Sequence, residues 1–172
     1  TATVDSIGNW SVTVADALTE ATYPYTVTAE DTAGNTTSKS GSIKVDTTAP
    51  ILVDNGLNDD TDTGSSNIDN ITNNPTPVIE GTAGNGDSIR VVINSKTYSA
   101  TVNSVGQWSV SVTDALADGV HHYTVRAEDT AGNATTDSGS FEVDTRAPLL
   151  VDKGLNDLSD TGRSNSDNIT KK

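Results

Sequence analysis

The chain repeats itself. A shift of 98 residues carries Trp10 onto Trp108, Tyr25 onto Tyr123 and the segment 29–35 onto 127–133. It also carries Asp46-Thr47 onto Asp144-Thr145 and the run 56–59 onto 154–157. About two-thirds of the overlapping positions are identical, far above chance, so the chain is a tandem array of one unit. We place one complete repeat at 51–148. Residues 1–50 are then the C-terminal half of the preceding repeat, and 149–172 the N-terminal start of the next. Neither end piece is expected to form a full domain alone.

Within 51–148 the apolar residues alternate with period two, the signature of half-buried strands. Ile51-Leu52-Val53 opens the unit, and a long polar loop leads to Pro77-Val78-Ile79-Glu80-Gly81. Ile89, Val91 and Ile93 share one face, and Lys96–Val102 follows as a short strand. Trp108, Val110 and Val112 make a further face, then Tyr123, Val125 and Ala127, then Phe141 and Val143. Turn signals such as Asn85-Gly86 and Asp118-Gly119 separate the segments. No stretch carries a 3.6-residue period. Seven strands in 98 residues predict an all-β chain of tandem immunoglobulin-like antiparallel β-sandwich repeats.

Composition agrees and narrows function. Hydrophobic residues make up 33% of the chain, so the core must be slim and built from Val, Ile, Leu and Ala. Ten basic residues face 24 acidic ones, a net charge of −14. Such a field argues against nucleic acid and anionic membrane as partners. No apolar run approaches the roughly 20 residues of a membrane span. There is no cysteine to supply disulfides, so rigidity must come from elsewhere. Clustered carboxylates that fold need counter-charge, which divalent cations supply.

The segments Asp-Thr-Thr-Ala-Pro (46–50), Asp-Thr-Gly-x-Ser-x-x-Asp-x-Ile-Thr (62–72), Gly-Thr-Ala (81–83), Gly-Gln-Trp-Ser-Val (106–110) and Asp-Thr-Ala-Gly-Asn (129–133) together resemble bacterial immunoglobulin-like repeats. Repeats of this kind fill giant adhesins and biofilm-associated surface proteins exported by type I secretion. The resemblance covers essentially the whole chain. It implies a secreted, cell-surface location and a non-catalytic structural role in extending an arm. The implied partners are neighbouring repeats of the same chain, with a host or abiotic surface bound through other modules. It also implies Ca²⁺ at repeat junctions.

The residues themselves offer oxygen ligands for such an ion. The loop 58–70 holds Asp59, Asp60, Asp62 and Asp69 around Gly64. The start Asp60-x-Asp62-x-Gly64 faintly resembles an EF-hand, but no Glu closes the loop and the second copy has Leu158 in place of Asp60. That reading is rejected. The acidic positions kept in both copies are better candidates: Asp54 and Asp152, Asp59 and Asp157, Asp62 and Asp160, Asp69 and Asp167. If the first strand runs downward, the 54–73 loop and Asp144 meet at the lower end. Asp129 then sits at the upper end, facing the preceding repeat and its Asp46. The competing reading is that these Asp residues only build turns.

Catalysis has no support in the pattern. His121 and His122 are the only histidines, and the other copy has Tyr23 and Pro24 there. No Gly-x-Ser-x-Gly elbow or phosphate-binding loop occurs. Trp10 and Trp108 both alternate with valines and are expected in a core, while Tyr123 is expected to form a tyrosine-corner bond. Beside the extender role stand two alternatives: a recognition module for glycan, ice or another copy, and a subunit of an extracellular filament.

Overall fold

We describe a computed structural model of the chain. The structure describes residues 2–153, 159, 164, 169 and 170. The described residues contain ten strands: β1 (Ala21–Glu30), β2 (Thr36–Val45), β3 (Leu52–Leu57), β4 (Ile71–Thr72), β5 (Val78–Ala83), β6 (Ser88–Ile93), β7 (Lys96–Thr101), β8 (Gln107–Ser111), β9 (Gly119–Glu128) and β10 (Ala134–Val143). All pairings are antiparallel except that of β4 with β10.

Two sheets form the sandwich. One has the order β4-β10-β9-β6-β7 and the other β3-β5-β8. Alternation turns one side of every strand inward, so Ile79, Val91, Trp108, Val110, Val125 and Phe141 meet in a single core. Two glycines let aromatic rings lie flat between neighbours. Gly81 stands opposite Trp108 in the ladder, and a Cβ there would strike the Trp108 ring and the Val53 carbonyl. Gly139 stands opposite Tyr123, and a Cβ there would strike its hydroxyl.

The seven strands read from alternation correspond to β3 and β5 through β10. The eighth, β4, is a correction. It lies inside the polar loop and has only two residues, too few to carry a pattern. Pairing with β10 selects it: Glu142 N–H donates to Asn70 O and Asp144 N–H to Thr72 O, both at 2.9 Å. Thr72 is buried and Ile71 exposed.

Trp10 is a second correction. It is 51% exposed, whereas Trp108 is 3% exposed. Residues 2–20 form no strand, and β1 and β2 make a two-stranded sheet of their own. Trp10, Val12 and Val14 thus have the alternation of a core strand, but among the described residues no sheet packs over them. Tyr25, the counterpart of Tyr123, is 46% exposed for the same reason.

Candidate inter-repeat junction and acidic loop

The linker after β2 is bonded from both sides. Behind it, the Glu20 carboxylate accepts from the Thr47 and Thr48 hydroxyls. Lys44 pairs with Asp46 at 2.8 Å, and Asp46 Oδ1 accepts the Thr48 N–H. Ahead of it, Asn133 Nδ2 donates to Asp46 O at 3.0 Å and Thr135 Oγ1 to Pro50 O. The 129–133 turn therefore faces Asp46, as the strand directions demand. Asp144 lies at the far end of β10, about 30 Å away for ten residues of strand.

Asp129 builds that turn. Its Oδ1 accepts the N–H groups of Ala131 and Asn133, and its Oδ2 accepts Asn133 Nδ2 at 2.9 Å. The bond from the Asn133 side chain, helped by the backbone N–H groups, holds the carboxyl below the usual aspartate range. The same turn recurs at Asp31–Asn35 and Asp5–Asn9, each with a lowered Asp pKa from its bonds to the closing Asn.

The linker after β10 is held in the same manner, by a residue that alternation did not single out. Asp118 Oδ1 accepts the Thr145 N–H at 3.0 Å and its hydroxyl at 2.7 Å, and Oδ2 pairs with Arg146 at 2.9 Å. The Thr145 side chain is the first cause of a lowered Asp118 pKa. Glu20 occupies the matching position 98 residues earlier, so acid at both positions was the available signal.

The acidic loop is a hydrogen-bonded knot around Asp62 and Thr72. Asn70, at φ 59°, gives its N–H to Asp62 Oδ2 at 3.0 Å, and its Oδ1 accepts the Leu57 N–H at 2.8 Å. Thr72 Oγ1 donates to Thr61 O at 2.6 Å. Asp62 is 3% exposed, and its Oδ1 has no hydrogen-bond partner among the described residues.

The remaining candidates are dispersed. Asp54 lies beside the Tyr123 hydroxyl at Gly139 and its Oδ1 takes the Gly56 N–H; burial first, then this carboxylate, push the phenol pKa upward. Asp69 and Asp144 cap the Ile71 and Arg146 N–H groups. Asp59 and Asp152 are exposed; Asp157, Asp160 and Asp167 lie outside the described residues. Among the described residues no three acidic or histidine side chains converge closely enough to hold a metal by themselves.

The corner bond belongs to another residue than expected. His121 Nε2–H donates to Ala117 O at 2.8 Å, which leaves Nδ1 to accept Asn94 Nδ2 at 3.1 Å. In the other copy Tyr23 OH donates to Thr19 O at 2.9 Å, the same bond 98 residues earlier. His121 is thus a buried structural group.

The two-sheet architecture and the repeated Asp turns coincide with a sequence match. Residues 1–47 and 48–145 each match the bacterial Ig-like domain. The chain belongs to the bacterial Ig-like domain family. No match was found among curated proteins. Among solved structures this Ig-like chain resembles a tetra-tandem repeat in the extending region of a large adhesion protein, at 26% identity and TM-score 0.49, over 84% of this chain and 37% of that one. It also resembles a Ca²⁺-stabilized adhesin that helps an Antarctic bacterium reach out and bind ice, at 30% identity and TM-score 0.37, over 71% and 31%. A bacterial immunoglobulin-like domain from the M. primoryensis ice-binding adhesin aligns at 36% identity and TM-score 0.29, over 40% and 74%. The Ig-like chain spans about a third of the length of the first two.

Proposed function

We propose that this chain is a non-catalytic extender segment of a large bacterial surface adhesin, lying outside the cell and holding its repeats in line. The observation that carries the reading is the two-sided grip on the linker, with Asn133 and Thr135 on the carbonyls of Asp46 and Pro50 and Glu20 on Thr47 and Thr48. Stacked repeats have roughly nearest-neighbour energetics, so the linker decides between a rod and a string of beads. The partners in this reading are neighbouring repeats, with 51–148 as one complete unit; surfaces are bound by other modules.

Ca²⁺ belongs to the same reading. It takes about six to eight oxygen ligands, and carbonyls serve as well as carboxylates. The donor set fits best at the 58–70 loop, where Asp62 Oδ1 is buried without a partner. An unpaired buried carboxylate oxygen is costly, and a bound cation offsets that cost. Because no three carboxylates converge there, loop carbonyls and water would complete the shell around Asp62. At the other end Asp46 and Asp129 already spend oxygens on Lys44 and Asn133, which makes them weaker ligands. When bound, the ion supplies positive charge and a cross-link within the loop.

The test is small-angle scattering and thermal melting of the whole chain in millimolar Ca²⁺, in Mg²⁺ and in chelator. Ca²⁺ should raise the melting temperature; saturation at a hundredfold excess over Kd is worth about 2.7 kcal/mol. Mg²⁺, which sheds water reluctantly, should substitute poorly. Asp62→Asn should abolish the response, and Asp60→Asn should leave it. Identical melts in Ca²⁺ and chelator would remove the ion from the reading, and a flexible scattering profile in both would remove the rod.

A further inference from the structure

The outer face of the five-stranded sheet carries an arrangement that the extender role does not use. The β6–β9 register places Arg90 directly opposite Arg126. Ile89, Val91, Val125 and Ala127 are buried, so both arginines point away from the core. Like charges directly opposite across a ladder destabilise it. Residues 51–148 contain four basic side chains, Arg90, Lys96, Arg126 and Arg146, against 14 acidic ones, yet two of the four face each other here. Lys96 pairs with Asp114, Arg126 with Glu128 and Arg146 with Asp118. Arg90 has no ionic partner among the described residues. The fold does not require this charge, because the position matching Arg126 is Thr28, whose hydroxyl meets Ser38 across the β1–β2 ladder.

The arginines stand in a row of hydroxyls. Ser99 pairs with Arg90 on one side and Thr136 with Arg126 on the other. Thr97, Val92, Thr124 and Ser138 make the next row across the same four strands. A shallow depression lies there, lined in part by Val92, His122, Thr124 and Ser138. Paired guanidinium forks match a carboxylate bidentately. Rows of hydroxyls match a polyhydroxylated chain. A densely charged polyanion would be repelled by a chain of net charge −14, whereas a sugar with isolated carboxylates would not be excluded.

We propose that this face, centred on Arg90 and Arg126, binds a carboxylate-bearing glycan. The carboxylate takes the Arg90 guanidinium, with the part of Arg126 not engaged by Glu128 beside it, and the sugar hydroxyls lie along the Ser and Thr rows. Binding needs no divalent ion, which separates it from the acidic loop and from the extender reading.

The experiment is titration of the whole chain with oligogalacturonate in low-salt buffer containing chelator, beside neutral dextran and dextran sulfate. The native chain should bind oligogalacturonate saturably, bind dextran not at all, and lose affinity as salt rises. Arg90→Gln and Arg126→Thr should each weaken binding at least about tenfold, as loss of a charge-assisted hydrogen bond does, with melting temperature unchanged or raised. Several results would overturn the assignment: no binding by the native chain, binding unaffected by either variant, or equal uptake of dextran. Equal or tighter binding of dextran sulfate would make the face an unselective anion site, and binding only with Ca²⁺ would move the glycan to the acidic loop. Self-association lost in the arginine variants would assign the face to a second copy instead.

Discussion

Asn133 hydrogen-bonds through one side-chain amide to two different parts of the chain: Asp129 Oδ2 in its own turn at 2.9 Å, and the backbone carbonyl of Asp46, 87 residues upstream, at 3.0 Å. A turn that merely reverses the chain between β9 and β10 thereby also grips the preceding linker. One residue couples local turn chemistry to the relative placement of neighbouring units.

Replacing Asn133 with Ala should release both. The turn loses a bond worth about 1 kcal/mol, and the linker loses one of its two forward contacts. Hydrogen exchange should quicken at 47–50, and the radius of gyration should rise. Thr135→Val should quicken the same amides while sparing the turn. Unchanged exchange in both variants would show that the contacts behind the linker, from Glu20 and Asp46, fix it without the forward ones.

Trp108→Ala should cost about 3–5 kcal/mol, because a buried ring is replaced by a cavity. Trp10→Ala, at a half-exposed position, should stay within about 0.5 kcal/mol. Urea denaturation of the two variants separates these outcomes. Comparable losses would mean that the first half-repeat buries its own core.

Acid should act through the turn carboxylates. Asp129 and Asp118 have pKa values below the usual aspartate range, held there by Asn133 and Thr145 respectively. A depressed folded-state pKa stabilises the fold above the unfolded value of about 3.9, and this contribution disappears as pH falls through the lower folded value. Melting temperature should therefore be flat from neutrality down to about pH 5 with respect to these groups, then decline modestly below about pH 4, since neither carboxylate is buried. Asp118→Asn with Asp129→Asn should make that acid limb shallower, with the turns at Asp5 and Asp31 supplying the remainder. A limb as steep as the native one would place the acid sensitivity elsewhere.

His121→Tyr should be tolerated to within about 1 kcal/mol, since the other copy makes the same corner bond with Tyr23. His121→Ala should cost about 2–4 kcal/mol by losing both the packing on Phe141 and the bond to Ala117. Equal losses for the two would refute the corner role.

The repeat, the all-β class and the inward face of each long strand are legible in local pattern alone. Alternation is local, so Trp108, Val110, Val125 and Phe141 declare their side of the sheet without reference to any partner. Strand direction then placed Asp129 and Asp144 at opposite ends. What a residue meets on its chosen side is a different matter, because it depends on which other strands exist and in what register. Trp10 has the pattern of Trp108, but among the described residues no sheet packs over it. Ile71-Thr72 has no pattern and becomes a strand because the amides of Glu142 and Asp144 at the end of β10 bond to the carbonyls of Asn70 and Thr72. The aspartates read as alike in sequence, yet packing sends Asp54 to the Tyr123 hydroxyl, Asp129 to its own turn and Asp62 into the interior with one oxygen unpaired. Arg90 and Arg126 can each be read as outward-facing; that they stand side by side is a fact of register, which only long-range pairing sets.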